Sequence, residues 1–302
     1  MPIIAIALVS FAAIIHAFWN LLGKRQNPSA AFFMVAALTG GLALLPLVAG
    51  NRHVLPLIPA SIWALIGFSC LSEAVYYSAL AGAYRNGDMS LAYPLARALP
   101  TIFITVVAVV LGTGEPIMPP ALVGIALVAA GCLMLPLRNR RSLRLADYLS
   151  PCCLLAIVAA VGTTGYTTVD NEALRLLRSG PGSSLAGVEL TLVYLGLTSL
   201  GSALCMAVYV ALWGPERARL SVLARNGVRY AVLAGAVITI GYGMVLMAMA
   251  YAANVSYIGA FRQISIPLGA ALGIVVEREP LYPAKVVGTA VVLVGLVLVA
   301  LA

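Results

Sequence analysis

The chain consists of long apolar stretches that alternate with short polar gaps. Each stretch is close to the roughly 20 residues that an α-helix needs to cross a bilayer. Charges, glycines and prolines delimit ten of them, at about residues 3–22, 30–50, 61–84, 90–111, 120–137, 152–169, 185–210, 228–252, 255–275 and 284–302. The pattern therefore predicts ten membrane-spanning helices, numbered here as spans one to ten in chain order.

The composition excludes an ordinary water-soluble domain. Of the 302 residues, 62% are apolar and 9% are charged, whereas about 25% of the residues in a soluble domain are charged. The net charge of +8 lies mainly in the gaps between spans, where Lys and Arg act as topology signals rather than as a nucleic-acid surface. We therefore expect the lipid bilayer as a partner, and no nucleic acid.

Lys and Arg are divided unevenly between the two sides of the predicted bundle. The odd-numbered loops contain 13 of these residues and the even-numbered loops contain three. Because cytoplasmic loops retain Lys and Arg, this distribution places the odd loops inside and both termini outside. Arg outnumbers Lys 16 to 2, a bias associated with GC-rich bacterial genomes. We therefore expect a multi-pass protein of the cell inner membrane.

The two halves of the chain resemble each other. We expect a first five-helix repeat over residues 1–137, a linker over 138–151 and a second five-helix repeat over 152–302. Because five is odd, the second repeat enters the membrane from the opposite side, and inverted repeats are typical of alternating-access transporters. A shift of 164 residues places a Glu-Pro pair and two glycines on their counterparts: Glu115-Pro116 on Glu279-Pro280, Gly124 on Gly288 and Gly131 on Gly295.

The glycine pairs carry a structural prediction of their own. In each repeat the two glycines are seven residues apart, at 124 and 131 and at 288 and 295. This spacing places them on one face of a helix, where they form a small-residue seam that lets another helix approach closely. Spans five and ten are therefore predicted to be scaffold helices.

The order of these features resembles the drug/metabolite transporter superfamily, EamA type. The resemblance covers the whole chain and rests on the His-Ala-Phe-Trp-Asn stretch at 16–20, the two Glu-Pro turns and the five-plus-five duplication. It implies an all-α membrane protein with ten transmembrane helices in two inverted five-helix repeats around a central cavity. It also implies secondary transport, often export, of small metabolites such as amino acids, without identifying the substrate.

Ionisable side chains within the predicted spans are candidates for function, because charge is costly in lipid. Five residues qualify: His16, Glu73, Arg97, Glu189 and Arg262. Glu73, near the middle of span three, either pairs with an arginine or binds a substrate amine or a proton. Arg97 and Arg262 occupy nearly corresponding positions in the two repeats. They either capture a substrate carboxylate or phosphate, snorkel to the headgroups or neutralise the two acids.

Aromatic and polar positions complete the predicted binding site. Trp19 is either part of the site or an interfacial anchor, and His16 is either a proton carrier or an interhelical hydrogen-bonding residue. A shift of 147 residues places Tyr166 and Asp170 of the second repeat on Trp19 and Gly23. The predicted substrate-binding residues, around a cavity between spans one, three, four, six, eight and nine, are His16, Trp19, Asn20, Glu73, Tyr77, Arg97, Tyr166, Tyr242 and Arg262.

Other functional classes fit the sequence less well. An intramembrane enzyme would carry HExxH, paired aspartates or a nucleophile with its base, and ATP-driven transport would require GxxxxGK[ST]. The chain contains neither motif, and its five cysteines and two histidines lack the spacing of metal ligands. We therefore expect no catalytic residue, no metal and no cofactor.

The function predicted from the sequence is secondary active transport by alternating access. The partners are a small-molecule substrate, with an amino acid as the leading class, and protons as a candidate coupling ion. The alternatives are a channel-like or non-transporting membrane protein, or an exporter of phosphonates or cationic drugs. A channel would be expected to show a selectivity filter or rings of one charge sign, which the sequence does not contain.

Overall fold

The computed structural model describes residues 2–26, 29–86, 89–112, 117–134, 150–265 and 283–301. Within these ranges the regular structure is helical, and no strand occurs. Short 3-10 turns lie at Leu55–Leu57 and Arg262–Ile264. The α-helices in chain order are α1 Ile3–Gln26, α2 Ala30–Gly50, α3 Ala60–Asn86, α4 Met89–Leu111, α5 Pro119–Met134, α6 Pro151–Ser179, α7 Gly187–Leu212, α8 Gly214–Asn226, α9 Val228–Met249, α10 Val255–Phe261 and α11 Pro283–Leu301.

Several of these helices match the requirements of a bilayer. Five of the described helices, α2, α3, α6, α7 and α9, are long and apolar enough to cross a membrane. Shorter apolar segments lie within α1, α4, α5 and α11. The protein is therefore an all-helical, membrane-embedded protein, as the hydropathy pattern predicted. The two Glu-Pro turns, most of the linker and residues 266–275 of span nine lie outside the described residues.

Two stretches differ from the sequence prediction. Span six was predicted to end at residue 169, but α6 continues to Ser179. In its last turns Arg175 pairs with Glu172 at 2.6 Å, three residues earlier on the same face, which adds modest support to the helix there. The predicted gap between spans seven and eight contains the polar helix α8, with Glu216 in its first turn and Arg225 in its last. These charges complement the helix dipole, which stabilises a helix without an apolar stripe.

The four seam glycines bring α5 and α11 into backbone contact. A Cβ atom on Gly124 would lie 2.7 Å from the carbonyl oxygen of Gly295, and one on Gly131 would lie 2.7 Å from that of Gly288. Only glycine permits such an approach, so the predicted seam is confirmed. The earlier glycine of α5 meets the later glycine of α11, and the two helices therefore run antiparallel.

Helices α2 and α7 pack in the same antiparallel way. Gly41 of α2 lies against Leu200 of α7, and Gly196 of α7 lies against Val48 of α2. The other main helix pairs are α3 with α6 and α1 with α9. Each of these four pairs joins a helix from residues 1–137 to a helix from residues 152–302. The hydrophobic core is therefore built between the two halves of the chain.

Glu189 lies at the start of α7, within the span that the sequence predicted over residues 185–210. It occupies the first turn of α7, and its carboxylate accepts a hydrogen bond of 2.9 Å from the side-chain amide of Asn51. Asn51 is itself the C-cap residue of α2. Since both residues lie at helix ends, this hydrogen bond joins α2 and α7 at one end of the pair.

Candidate functional site

A cavity lies between α1, α3, α4, α6, α9 and the 3-10 turn that follows α10. Small and apolar side chains form part of its wall, including Ala12, Val237 and Gly241. The side chain of Asn20 lies outside the described residues. The other eight predicted site residues all line this cavity: His16, Trp19, Glu73, Tyr77, Arg97, Tyr166, Tyr242 and Arg262.

Trp19 belongs to the interior and is not an interfacial anchor. It is 3% exposed, and its indole Nε1 donates a hydrogen bond of 3.0 Å to Nδ1 of His16. The two rings meet edge to face with centroids 4.9 Å apart. Because Nδ1 accepts this bond, it carries no proton in this arrangement. The pair thus orients the His16 ring at the cavity wall.

Aromatic rings cover much of the cavity and hold one another in place. Tyr76, which the sequence analysis had not selected, completes the series and packs edge to face on Tyr166. Edge-to-face and stacked contacts of this kind fix ring orientation. The successive contacts, with centroid distances, are Trp19 with Phe33 at 6.0 Å, Phe33 with Tyr77 at 4.7 Å, Tyr76 with Tyr77 at 4.8 Å, Tyr76 with Tyr166 at 5.7 Å and Tyr166 with Tyr242 at 5.4 Å.

Glu73 is held by a hydroxyl group rather than by an arginine. Its Oε2 accepts a hydrogen bond from the hydroxyl of Ser202 on α7. The ion pairs that the structure describes involve other acids, Glu172 and Glu216. Of the alternatives left open for Glu73, pairing with a neighbouring arginine is therefore not the arrangement found among the described residues. Glu73 remains an acidic group on the cavity wall, and Ser202 of α7 fixes the position of its carboxylate.

Arg262 presents its guanidinium group to the aromatic side of the cavity. Its terminal nitrogens lie 3.4 Å from the hydroxyl oxygen of Thr167 and 3.5 Å from that of Tyr166. These are long distances for hydrogen bonds. The guanidinium carbon also lies 5.7 Å from the centroid of the Tyr242 ring, within the range of a cation–π contact. A planar cation held by weak contacts retains donor capacity for an anion.

Asp170 is the main polar residue that the sequence analysis had not selected for the site. Its carboxylate is 1% exposed. One oxygen accepts hydrogen bonds from Ser69 of α3 and from Tyr194 of α7, the latter at 2.7 Å. The other oxygen accepts from Tyr242 of α9. Asp170 thus joins four helices and fixes the tyrosine that lines the cavity.

The sequence contained a signal for Asp170. The shift of 147 residues had placed it on the polar face of span six, but the predicted end at residue 169 removed it from the intramembrane acids. A second buried acid, Glu216, lies outside the cavity and is 0% exposed. It pairs with Arg85 at 3.2 Å and Arg219 at 2.5 Å, and accepts from the backbone N–H of Ala31 at 3.2 Å.

The cavity is suited to binding by charge and shape. It combines an acid, Glu73, with two arginines, Arg97 and Arg262, and with a histidine. Groups of both signs within one aromatic chamber complement a small molecule that itself carries both charges. Within the described ranges, no group of three or more His, Cys, Asp or Glu side chains is arranged to hold a metal ion.

Comparison with known proteins supports the fold. No protein-family model and no curated protein sequence matches the chain. Among solved structures, 28 chains are similar to it. One of them, a crystal structure, matches over 98% of this chain and 96% of its own length, with a TM-score of 0.70 and 19% sequence identity. At this identity the likeness concerns the fold alone, since one fold hosts many functions.

Proposed function

We propose that the protein is a secondary active transporter of the drug/metabolite transporter superfamily, EamA type, in the cell inner membrane. It exports a small metabolite, with an amino acid as the leading class, by alternating access. The observation that carries this proposal is the cavity itself. Its walls come from both halves of the chain, and they present acidic and basic groups among aromatic rings.

The helix pairing supports two inverted five-helix repeats. In this reading α1 to α5 correspond in order to α6, α7, α9, α10 and α11, and α8 is an insertion too polar to span lipid. The α2–α7 and α5–α11 pairs then join counterparts, and both pairs run antiparallel. When each helix is replaced by its counterpart in the other repeat, the α3–α6 pair becomes the α9–α1 pair, which is also a main contact. A two-fold axis in the membrane plane produces this pattern.

The charges of the cavity favour a zwitterionic substrate. A substrate carboxylate would bind the guanidinium of Arg262 or Arg97, because a planar fork of donors matches two carboxylate oxygens. The amine would approach Glu73 on α3, or Glu73 would bind and release the coupling proton during transport. The aromatic rings would supply desolvated contact area. This binding chemistry involves no covalent step, no metal and no cofactor.

The size of the cavity is relevant to the mechanism. Its free volume is about 40 Å³, which is enough for a few water molecules and too little for an amino acid. Entry of substrate therefore requires the helices around the cavity to separate. Alternating access provides such a movement, because one repeat rocks against the other around a fixed site.

The experiment that tests the role of Glu73 is transport by the Glu73→Gln variant in proteoliposomes. If Glu73 carries the coupling proton, pH-driven uptake is lost while exchange of substrate between the two sides continues. Ser202→Ala is the matched control, since it removes the hydrogen bond but keeps the acid, and it should retain pH-driven uptake.

Each other result has a definite meaning. Loss of both activities in a folded Glu73→Gln protein assigns Glu73 to the substrate amine. A lower melting temperature with an unchanged pH dependence assigns it to structure alone.

A screen of ligands against the wild-type protein by thermal shift separates amino acids from phosphonates, sugars and cationic drugs. Stabilisation by phosphonates or cationic drugs alone would replace the amino-acid proposal.

A further inference from the structure

A second, smaller cavity adjoins the first. Arg97, Arg262 and Tyr76 line both cavities, and Thr163 and Gln263 line the second one alone. The two arginines therefore lie at the wall that the cavities share. The free volume of the second cavity is about 10 Å³, close to the space that one water molecule or one polar group of similar size occupies.

Thr163 contributes to this second cavity one of three buried threonine hydroxyl groups that have no hydrogen-bond partner among the described residues, the others being those of Thr101 and Thr168. Six other threonines in the described helices donate to the carbonyl four residues earlier, including the neighbouring Thr164, which donates to Ala160 at 2.9 Å. Thr163 is 7% exposed, yet its hydroxyl has no hydrogen-bond partner. The helix offers the usual acceptor, and this side chain does not use it.

Gln263 contributes a buried acceptor that likewise has no hydrogen-bond partner. Its side-chain nitrogen donates to the carbonyl oxygen of Gly259 at 3.1 Å, which fixes the orientation of the amide. Its Oε1 is buried and receives no hydrogen bond, although the residue is 4% exposed. Buried polar atoms without partners are rare in folded proteins. An ordered water or a bound ligand with a donor group can satisfy such an acceptor.

We infer that the second cavity is a subsite for the side chain of the substrate. The inference rests on the proposed transport function and names its substrate class, a small amino acid whose side chain carries a hydroxyl donor. The substrate carboxylate binds Arg97 or Arg262 at the shared wall, and its side chain enters the second cavity. There the hydroxyl donates to Oε1 of Gln263 and accepts from the hydroxyl of Thr163.

The test compares two substrates of the same shape in proteoliposomes. L-serine and L-2-aminobutyrate differ only in a terminal hydroxyl or methyl group, so the ratio of their half-saturation concentrations in exchange reports the subsite. The wild-type protein should favour L-serine by about tenfold or more, since a site built to bond a hydroxyl group rejects an analogue that lacks it. Gln263→Leu and Thr163→Val should each bring this ratio close to one.

Matched variants separate recognition from folding. Thr164→Val makes the same chemical change one residue away, at a hydroxyl that bonds within its own helix, and should keep the wild-type ratio. Thr163→Ser retains the hydroxyl and should keep the ratio as well. If Gln263→Leu does not fold, Thr163→Val and Thr163→Ser decide the result.

Several outcomes would overturn the subsite. Equal affinity of the wild-type protein for both compounds would mean that the cavity holds an ordered water only. A preference for L-serine that survives both substitutions would place recognition elsewhere. Exchange of other amino acids but of neither probe would reject the subsite and leave the transport proposal intact. Exchange of none of the twenty amino acids would instead reject the amino-acid proposal itself.

Discussion

Replacement of Gly131 by alanine should push α5 away from α11 and destabilise the protein. The new Cβ atom would lie 2.7 Å from the carbonyl oxygen of Gly288 and 2.8 Å from the backbone nitrogen of Val292. Ordinary contacts begin at 3.4 Å, so the helices must move apart locally by about 0.7 Å. Neither atom belongs to a flexible side chain, and relief by a rotamer change is therefore excluded. Overpacking of this kind costs about 1–3 kcal/mol.

The matched control is Gly67→Ala in α3. No heavy atom lies within 4 Å of the Cβ position at Gly67. Alanine there gains helix propensity without a clash and should stabilise the protein by about 0.5–1 kcal/mol. Thermal unfolding of both purified variants is monitored by size-exclusion chromatography of heated samples. The melting temperature should be several degrees lower for Gly131→Ala. Equal melting temperatures for the two variants would refute the α5–α11 seam.

Four further substitutions test the polar contacts. Asp170→Asn replaces one acceptor oxygen by an amide donor that faces hydroxyl donors. It should lower the melting temperature more than Tyr194→Phe, which removes one hydrogen bond of about 1–2 kcal/mol. The reverse order would contradict the three hydroxyl hydrogen bonds to Asp170. Glu216→Gln should cost about 2 kcal/mol because it removes the buried negative charge with which Arg85 and Arg219 pair. Glu172→Gln, in a more exposed pair, should cost less than about 1 kcal/mol. A thermal-shift series that finds the two glutamate substitutions equal would contradict this difference.

The helices could be predicted from the sequence because lipid imposes a simple rule. A span needs about 20 apolar residues, and span two, predicted at 30–50, is the helix Ala30–Gly50. The rule fails where a polar residue lies inside a span. Asp170 was treated as a boundary, although α6 buries its carboxylate and continues. Helix α8 escaped prediction because its charges, rather than an apolar face, stabilise it.

The sequence predicted which residues form the candidate site better than it predicted which residues they contact. Charged and aromatic residues on inward faces are few, and eight of the nine selected side chains line one cavity. Their partners follow from how helices rotate against one another, which a local pattern does not contain. Glu73 bonds Ser202 instead of an arginine for this reason. The hydroxyl group that holds it comes from α7, 129 residues away in the sequence.

Exchange of amino acids by the wild-type protein tests the central claim most directly. Purified protein in proteoliposomes is loaded on the inside with each unlabelled amino acid in turn and supplied on the outside with a trace of the same labelled compound. A carrier with a closing cavity predicts uptake that saturates with external concentration and is accelerated by substrate on the opposite side. Flux that rises linearly with concentration, without acceleration from the other side, would contradict alternating access and identify a pore.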